Sequence, residues 1–136
     1  MGHGARPGST GPSITVVLGD DVAELRELLR WEIEEEGDMT VVGEAGDGRQ
    51  VLEVLADKRP DVVLLDLSMP EMDGLEVLEE MRRRALPVRV VVLSGYTQQS
   101  MGARAREQGA DEYVEKGAPG SVIRDAVRSA ARAALA

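Results

Sequence analysis

Residues 62–74 read Val62-Val63-Leu64-Leu65-Asp66-Leu67-Ser68-Met69-Pro70-Glu71-Met72-Asp73-Gly74. Four consecutive apolar side chains are too few for a helix, and too uniformly apolar for a strand with one wet face. A strand covered on both faces fits them, and such strands belong to parallel sheets flanked by helices. The run stops at a carboxylate, Asp66, and passes into a turn. Met69 precedes a proline and is pushed away from helical backbone angles, and Gly74 is expected to supply conformational freedom further on.

Working outward, the stretches 14–18, 39–42, 88–93 and the weaker 112–114 share this strand-like, β-branched character. Between them lie apolar stripes at helical spacing: Val22, Leu25, Leu28, Leu29 and Ile33; Val51, Leu52 and Leu55; Leu75, Leu78 and Met81; Val122, Ile123, Ala126, Val127 and Ala130. Asp20 or Asp21 is expected to cap the first of these helices. Between residues 98 and 108 only Met101, Ala103 and Ala105 are apolar, so that helix has little to bury and should be the loosest. Strands alternating with helices imply right-handed crossovers and an α/β, doubly wound parallel sheet of five strands. Such sheets bind ligands beyond the carboxyl ends of the strands.

Composition narrows the function classes. A chain of 136 residues fits one domain, expected over residues 14–135, with residues 1–13, rich in Gly, Pro and small polar side chains, as a flexible tail. Cysteine is absent, which removes disulfides and thiolate metal sites and makes a cytoplasmic location the default. A net charge of −9 opposes approach to nucleic acid, and with Trp31, Tyr96 and Tyr113 as the only aromatics no stacking platform can be built. No apolar run approaches the roughly 20 residues that span a bilayer, so no membrane partner is expected.

Every strand end that can carry chemistry carries a polar group: Asp20 and Asp21 after the first strand, Asp66 after the third, Ser94 after the fourth, Lys116 after the fifth. The first and third strands of a doubly wound sheet commonly lie side by side, which would bring three carboxylates together and call for a cation. Oxygen donors without His or Cys favour Mg²⁺, and Mn²⁺ could substitute. The single histidine, His3, lies in the tail and receives no role.

The segment from Asp66 to Gly74 resembles the phosphoacceptor segment of bacterial response-regulator receiver domains. Asp20-Asp21, Ser94-Gly95-Tyr96 and Tyr113-Val114-Glu115-Lys116 match the same family in order. The resemblance implies a CheY-like, flavodoxin-like sheet in the order 2-1-3-4-5 with five helices. It makes Asp66 the nucleophile that takes a phosphoryl group from a sensor histidine kinase. Asp21, Asp20 (through water), Asp66 and the backbone carbonyl of Ser68 would hold Mg²⁺. Lys116 and Ser94 would contact phosphoryl oxygens. Ser94 and Tyr113 would form the switch, Tyr113 rotating inward as the Ser94 hydroxyl moves toward the phosphoryl group. That change would reshape the face formed by the helix at 98–108, the fifth strand and the last helix, where a homodimer or an effector would dock. Ser68 and Tyr96 would face the attacking water and tune phosphoryl lifetime. Lys116-Gly117-Ala118 is similar to receivers that precede a LuxR-type DNA-binding module, which is not visible in this sequence. Ser94 stands where Thr is equally common, and Gly19 where a larger residue is frequent; neither removes a reacting group.

Each residue alone has an ordinary reading: Asp20, Asp21 and Asp66 as caps, Ser94 as a turn residue, Lys116 as a solvated lysine, Tyr113 as a half-buried strand side chain. Arg82-Arg83-Arg84 is read as a solvated helix end that complements the dipole. A phosphohydrolase of the haloacid-dehalogenase type would want Asp where Ser68 stands. A flavodoxin-like cofactor carrier would want a Ser/Thr-rich phosphate loop where Gly19-Asp20-Asp21 stands. A degenerate receiver that only binds a partner, the remaining alternative, would have no need of the full reacting set present here.

Overall fold

The stretch 62–65 is a strand buried over its whole length, with the sheet continuing on both sides of it. The computed structural model describes residues 13–133. Their order is β1 (Ile14–Gly19), α1 (Ala23–Glu34), β2 (Met39–Ala45), α2 (Gly48–Lys58), β3 (Val62–Leu65), α3 (Gly74–Arg83), β4 (Arg89–Ser94), α4 (Gln98–Glu107), β5 (Glu112–Glu115) and α5 (Gly120–Ala133). The five strands are parallel in the order β2-β1-β3-β4-β5. Except for Ser13, the expected tail lies outside the described residues.

The uniformly apolar runs have a direct cause, because successive side chains of one strand feed opposite cores. Val16, Leu18, Val62, Leu64, Val91 and Leu93 face α1 and α5. Val17, Val63, Leu65, Val90 and Val92 face α2, α3 and α4. In register, Leu65 pairs with Gly19 on one side and Val92 on the other, so the residues following β1, β3 and β4 emerge at one edge of the molecule.

Helix starts are set by short polar side chains. Asp73 accepts from the Glu76 amide while Glu76 accepts from the Asp73 amide, a reciprocal capping box at α3. Asp47 caps α2 and Thr97 caps α4. The expected cap of α1 is corrected: Val22 holds the N-cap position without a side-chain bond, and Asp20 instead turns back to accept from the Val22 amide at 2.9 Å.

Two apolar stripes are also narrower than expected. Only Leu29 and Ile33 of α1 are buried, with Leu25 partly so, while Val22 and Leu28 are 44% and 53% exposed. Val122 likewise points to solvent, leaving Ile123, Ala126, Val127 and Ala130 as the buried face of α5. In α4 only Gly102 and Ala105 are buried, in keeping with its few apolar residues. Among the described residues no helix is long and apolar enough to cross a membrane.

Gly74 serves closeness rather than conformational freedom. Its φ is not positive, and a Cβ there would stand 2.5 Å from the Asp66 carbonyl oxygen and 2.6 Å from the Leu67 Cα. The first turn of α3 therefore sits directly on the backbone that presents Asp66, and the Gly74 amide donates to the Leu67 carbonyl at 2.9 Å.

Candidate functional site

The carboxyl ends of β1 and β3 bring Asp20, Asp21 and Asp66 together, each offering an oxygen within 4.8 Å of the others. Asp20 and Asp66 are 2% and 3% exposed, whereas Asp21 is open to solvent. From the end of β5, Lys116 reaches across with its Nζ 3.1 Å from Asp66 Oδ2 and 3.3 Å from Asp20 Oδ2. The remaining oxygen of Asp66 accepts from the Ser68 amide at 3.1 Å, and that of Asp20 from the Val22 amide.

Burial raises Asp66 above the ordinary carboxylate value. The Ser68 amide and Lys116 pull the other way, and the charge of Asp20 adds to the rise. Burial also works against the charge of Lys116, but the bonds and charges of Asp66 and Asp20 outweigh it and hold the ammonium above its usual value. Two nearly buried carboxylates share one lysine and face a third carboxylate, so the cluster carries more negative charge than its own residues neutralise. All three carboxylates are hard oxygen donors, and among the described residues no His or Cys joins them, so the residues fit Mg²⁺.

Ser94, at the end of β4, is fully buried, and its Oγ accepts from the Tyr96 amide at 3.0 Å. Tyr113, on β5, is 6% exposed, and its hydroxyl donates to the Tyr96 carbonyl at 2.7 Å. The inward position anticipated only after switching is thus the position in this structure, because that carbonyl gives the hydroxyl a partner inside. Glu115 completes the tie between β5 and α4 by accepting from the Gln98 amide at 2.9 Å.

Three arginines, and the Glu44 that two of them share, escaped the sequence reading. Arg26 donates to the Asp20 carbonyl at 2.6 Å and to Glu44 on β2 at 3.1 Å, fixing the loop that carries the two aspartates, and Arg30 also binds Glu44. Burial of Glu44 disfavours its charge, but Arg30 and Arg26 hold it below the ordinary value. Neither arginine stands out in a charged helix, and the pairing becomes visible only once β2 is placed beside β1. Arg104 is the third, lining a groove that borders Asp21 and Ser68.

A model of the response regulator receiver domain matches residues 16–128. The chain belongs to the response regulator receiver family. Over 102 residues, 75% of the chain, it is 41% identical to the nitrate/nitrite response regulator protein NarL of Escherichia coli, of which this segment makes up 47%. It is 38% identical to a protein-glutamate methylesterase/protein-glutamine glutaminase of Pyrococcus abyssi over 79% of the chain and 29% of that protein. The receiver therefore spans less than half the length of these curated relatives. Among solved structures it is similar to the signal receiver domain of the response regulator NarL from Mycobacterium tuberculosis. The TM-score is 0.85 and the identity 36%, over 90% of this chain and 98% of that one. The response regulator domain of Thermotoga maritima CheB aligns with a TM-score of 0.81 and 28% identity, covering 88% and 97%.

Proposed function

We propose that this receiver accepts a phosphoryl group on Asp66 from a sensor histidine kinase and uses it to change the α4–β5–α5 face. The observation that carries the reading is the constellation at the end of β3: a buried carboxylate with Lys116 3.1 Å away and two more aspartates in reach. Asp20, Asp21, Asp66 and the Ser68 carbonyl would hold Mg²⁺, with Mn²⁺ able to replace it. Bound there, the ion would offset negative charge on the transferring phosphoryl group.

The remaining roles fall to the chain itself. Asp66 forms the new O–P bond, giving an acyl phosphate. Lys116, already turned toward Asp66, pairs with a phosphoryl oxygen as a compact point charge. The Ser94 hydroxyl, within the same strand-end layer, donates to another. Since that hydroxyl now holds the Tyr96 amide, drawing it toward the phosphoryl group releases the β4–α4 loop, which Tyr113 and Glu115 still tie to β5. A loop loosened at one point and held at two repositions α4, the helix with the least buried surface. The altered face then serves a homodimer or an output partner, including a DNA-binding module elsewhere in a longer protein. The chain's chemistry is confined to its own phosphorylation and dephosphorylation, in a cytoplasmic setting. Ser68 and Tyr96 border the mouth and tune hydrolysis.

Mass and elution volume before and after incubation with Mg²⁺ and acetyl phosphate test this reading. One phosphoryl group on the wild type and none on Asp66→Asn are expected, with a change in elution if the switch governs association. Equal labelling of Asp66→Asn would remove Asp66 as the acceptor.

A further inference from the structure

On the α4 side of the carboxylate cluster runs a groove of about 700 Å³ whose walls include Asp21, Ser68, Asp73, Tyr96 and Arg104. Asp21 and Ser68 also border the cluster, so the mouth above Asp66 opens into this groove. Arg104 is the groove's one basic side chain. Its guanidinium makes no hydrogen bond or ion pair with any described residue, although the chain is rich in carboxylates. A basic residue in the last turn of a helix ordinarily complements the dipole, and Arg106, two residues on, serves that purpose without lining the groove.

We infer that Arg104 is a specificity-determining residue for small phosphodonors, favouring those whose leaving group departs as an anion. The inference rests on the reading of Asp66 as the phosphoacceptor. With an acyl phosphate, an Asp66 oxygen forms a bond to phosphorus. The phosphorus–oxygen bond on the opposite side breaks, and its electron pair leaves with the acyl group as a carboxylate; no proton need move. Asp66 lies at the floor of the site, so the leaving group emerges at the mouth, where Asp21 and Asp73 repel it and Arg104 supplies the opposite charge. With phosphoramidate, whose nitrogen already carries the proton as an ammonium on phosphorus, the same O–P bond forms, but the phosphorus–nitrogen bond breaks, its electron pair stays on nitrogen and ammonia departs uncharged. Such a donor gains nothing from Arg104.

The test compares initial rates of phosphoryl incorporation from acetyl phosphate and from phosphoramidate, with Mg²⁺, on the full chain. Wild type, Arg104→Ala, Arg104→Lys and Arg106→Ala are compared; both arginines are exposed. In Arg104→Ala the ratio of the acetyl phosphate rate to the phosphoramidate rate should fall about 1.4- to fivefold, the span of an exposed ion pair. Arg104→Lys should recover most of it, and Arg106→Ala, which removes the same charge from the same helical turn, should keep the wild-type ratio. An unchanged ratio in Arg104→Ala, or an equal fall in Arg106→Ala, overturns the role of Arg104 alone. Absence of label on the wild type with both donors overturns the Asp66 reading and this inference with it.

Discussion

The Tyr113 hydroxyl donates to the carbonyl of Tyr96 across 2.7 Å, so β5 holds the same residue whose amide is held by Ser94. The β4–α4 loop is therefore gripped from both sides of one residue, once by the strand end nearest the carboxylates and once by the neighbouring strand. Tyr113→Phe keeps the ring and loses the bond. It should cost about 1 kcal/mol, the net worth of a typical intramolecular hydrogen bond, and should speed amide exchange over residues 95–101 with little change around Asp66. Unaltered exchange in that loop would mean that ring packing rather than the hydroxyl anchors it.

Two carboxylates should respond to pH in opposite senses. Burial raises Asp66 above 3.8, with Asp20 adding to the rise and the Ser68 amide and Lys116 resisting it. The fold thus favours its protonated form, and stability is lost as pH rises through the folded value. Asp66→Asn should consequently melt higher than wild type at neutral pH in metal-free buffer, and this advantage should fade as pH falls toward 3.8. Glu44 is also opposed by burial, but Arg30 and Arg26 bring it below 4.5. Its contribution is present above that pH and lost as pH falls through the lowered folded value. Glu44→Gln should melt lower at neutral pH, by up to about 1 kcal/mol for a partly exposed pair, and converge with wild type in acid. Melting curves that move both variants in the same direction would contradict the assigned electrostatics.

The parts that were legible in the sequence share a cause. Residues 62–65 and 90–93 are apolar without interruption because both faces of those strands are covered, and polar residues at strand ends mark the edge where a parallel sheet presents its chemistry. Asp20, Asp21, Asp66, Ser94 and Lys116 could thus be found from strand positions alone. What was not legible depends on neighbours distant in sequence. Leu28 and Val122 keep helical spacing with buried residues yet lie at the margins of their stripes, and only the sheet's placement decides which margin is wet. Gly74 is needed because α3 rests on the Asp66 carbonyl, a contact no local signal encodes. Arg26 and Glu44 meet only because β2 pairs with β1, and Tyr113 lies inward because a particular carbonyl awaits it.

Lys116 stands between Asp66 and Asp20, two carboxylates almost wholly buried. Lys116→Met removes the shared cation and leaves them facing each other. Breaking a fully buried pair costs 3–5 kcal/mol; with the Lys116 side chain 30% exposed, a loss of about 2 kcal/mol in metal-free buffer is expected. Adding Asp66→Asn to that variant should restore most of the loss, so the aspartate substitution should stabilise more in the Lys116→Met background than in wild type. Additive effects in this double-mutant cycle would show that the lysine and the aspartate act independently.

Asp21 separates metal binding from folding more cleanly than either buried aspartate. Asp20 accepts from the Val22 amide and Asp66 from the Ser68 amide, so replacing them disturbs loop geometry as well as charge. Asp21 is exposed and makes no hydrogen bond or ion pair with a described residue, yet contributes an oxygen to the cluster. In metal-free buffer Asp21→Ala should therefore melt within about 0.5 kcal/mol of wild type, as surface substitutions usually do. Mg²⁺ at about ten times its dissociation constant should stabilise wild type by roughly 1.4 kcal/mol, since binding to the folded state contributes RT ln(1 + [L]/Kd). Asp21→Ala should gain much less at the same concentration. Sodium chloride of matched ionic strength is the needed comparison, because screening alone relieves repulsion among carboxylates. If Mg²⁺ raises both melting temperatures equally, or no more than the sodium salt does, the three aspartates do not form a cation site.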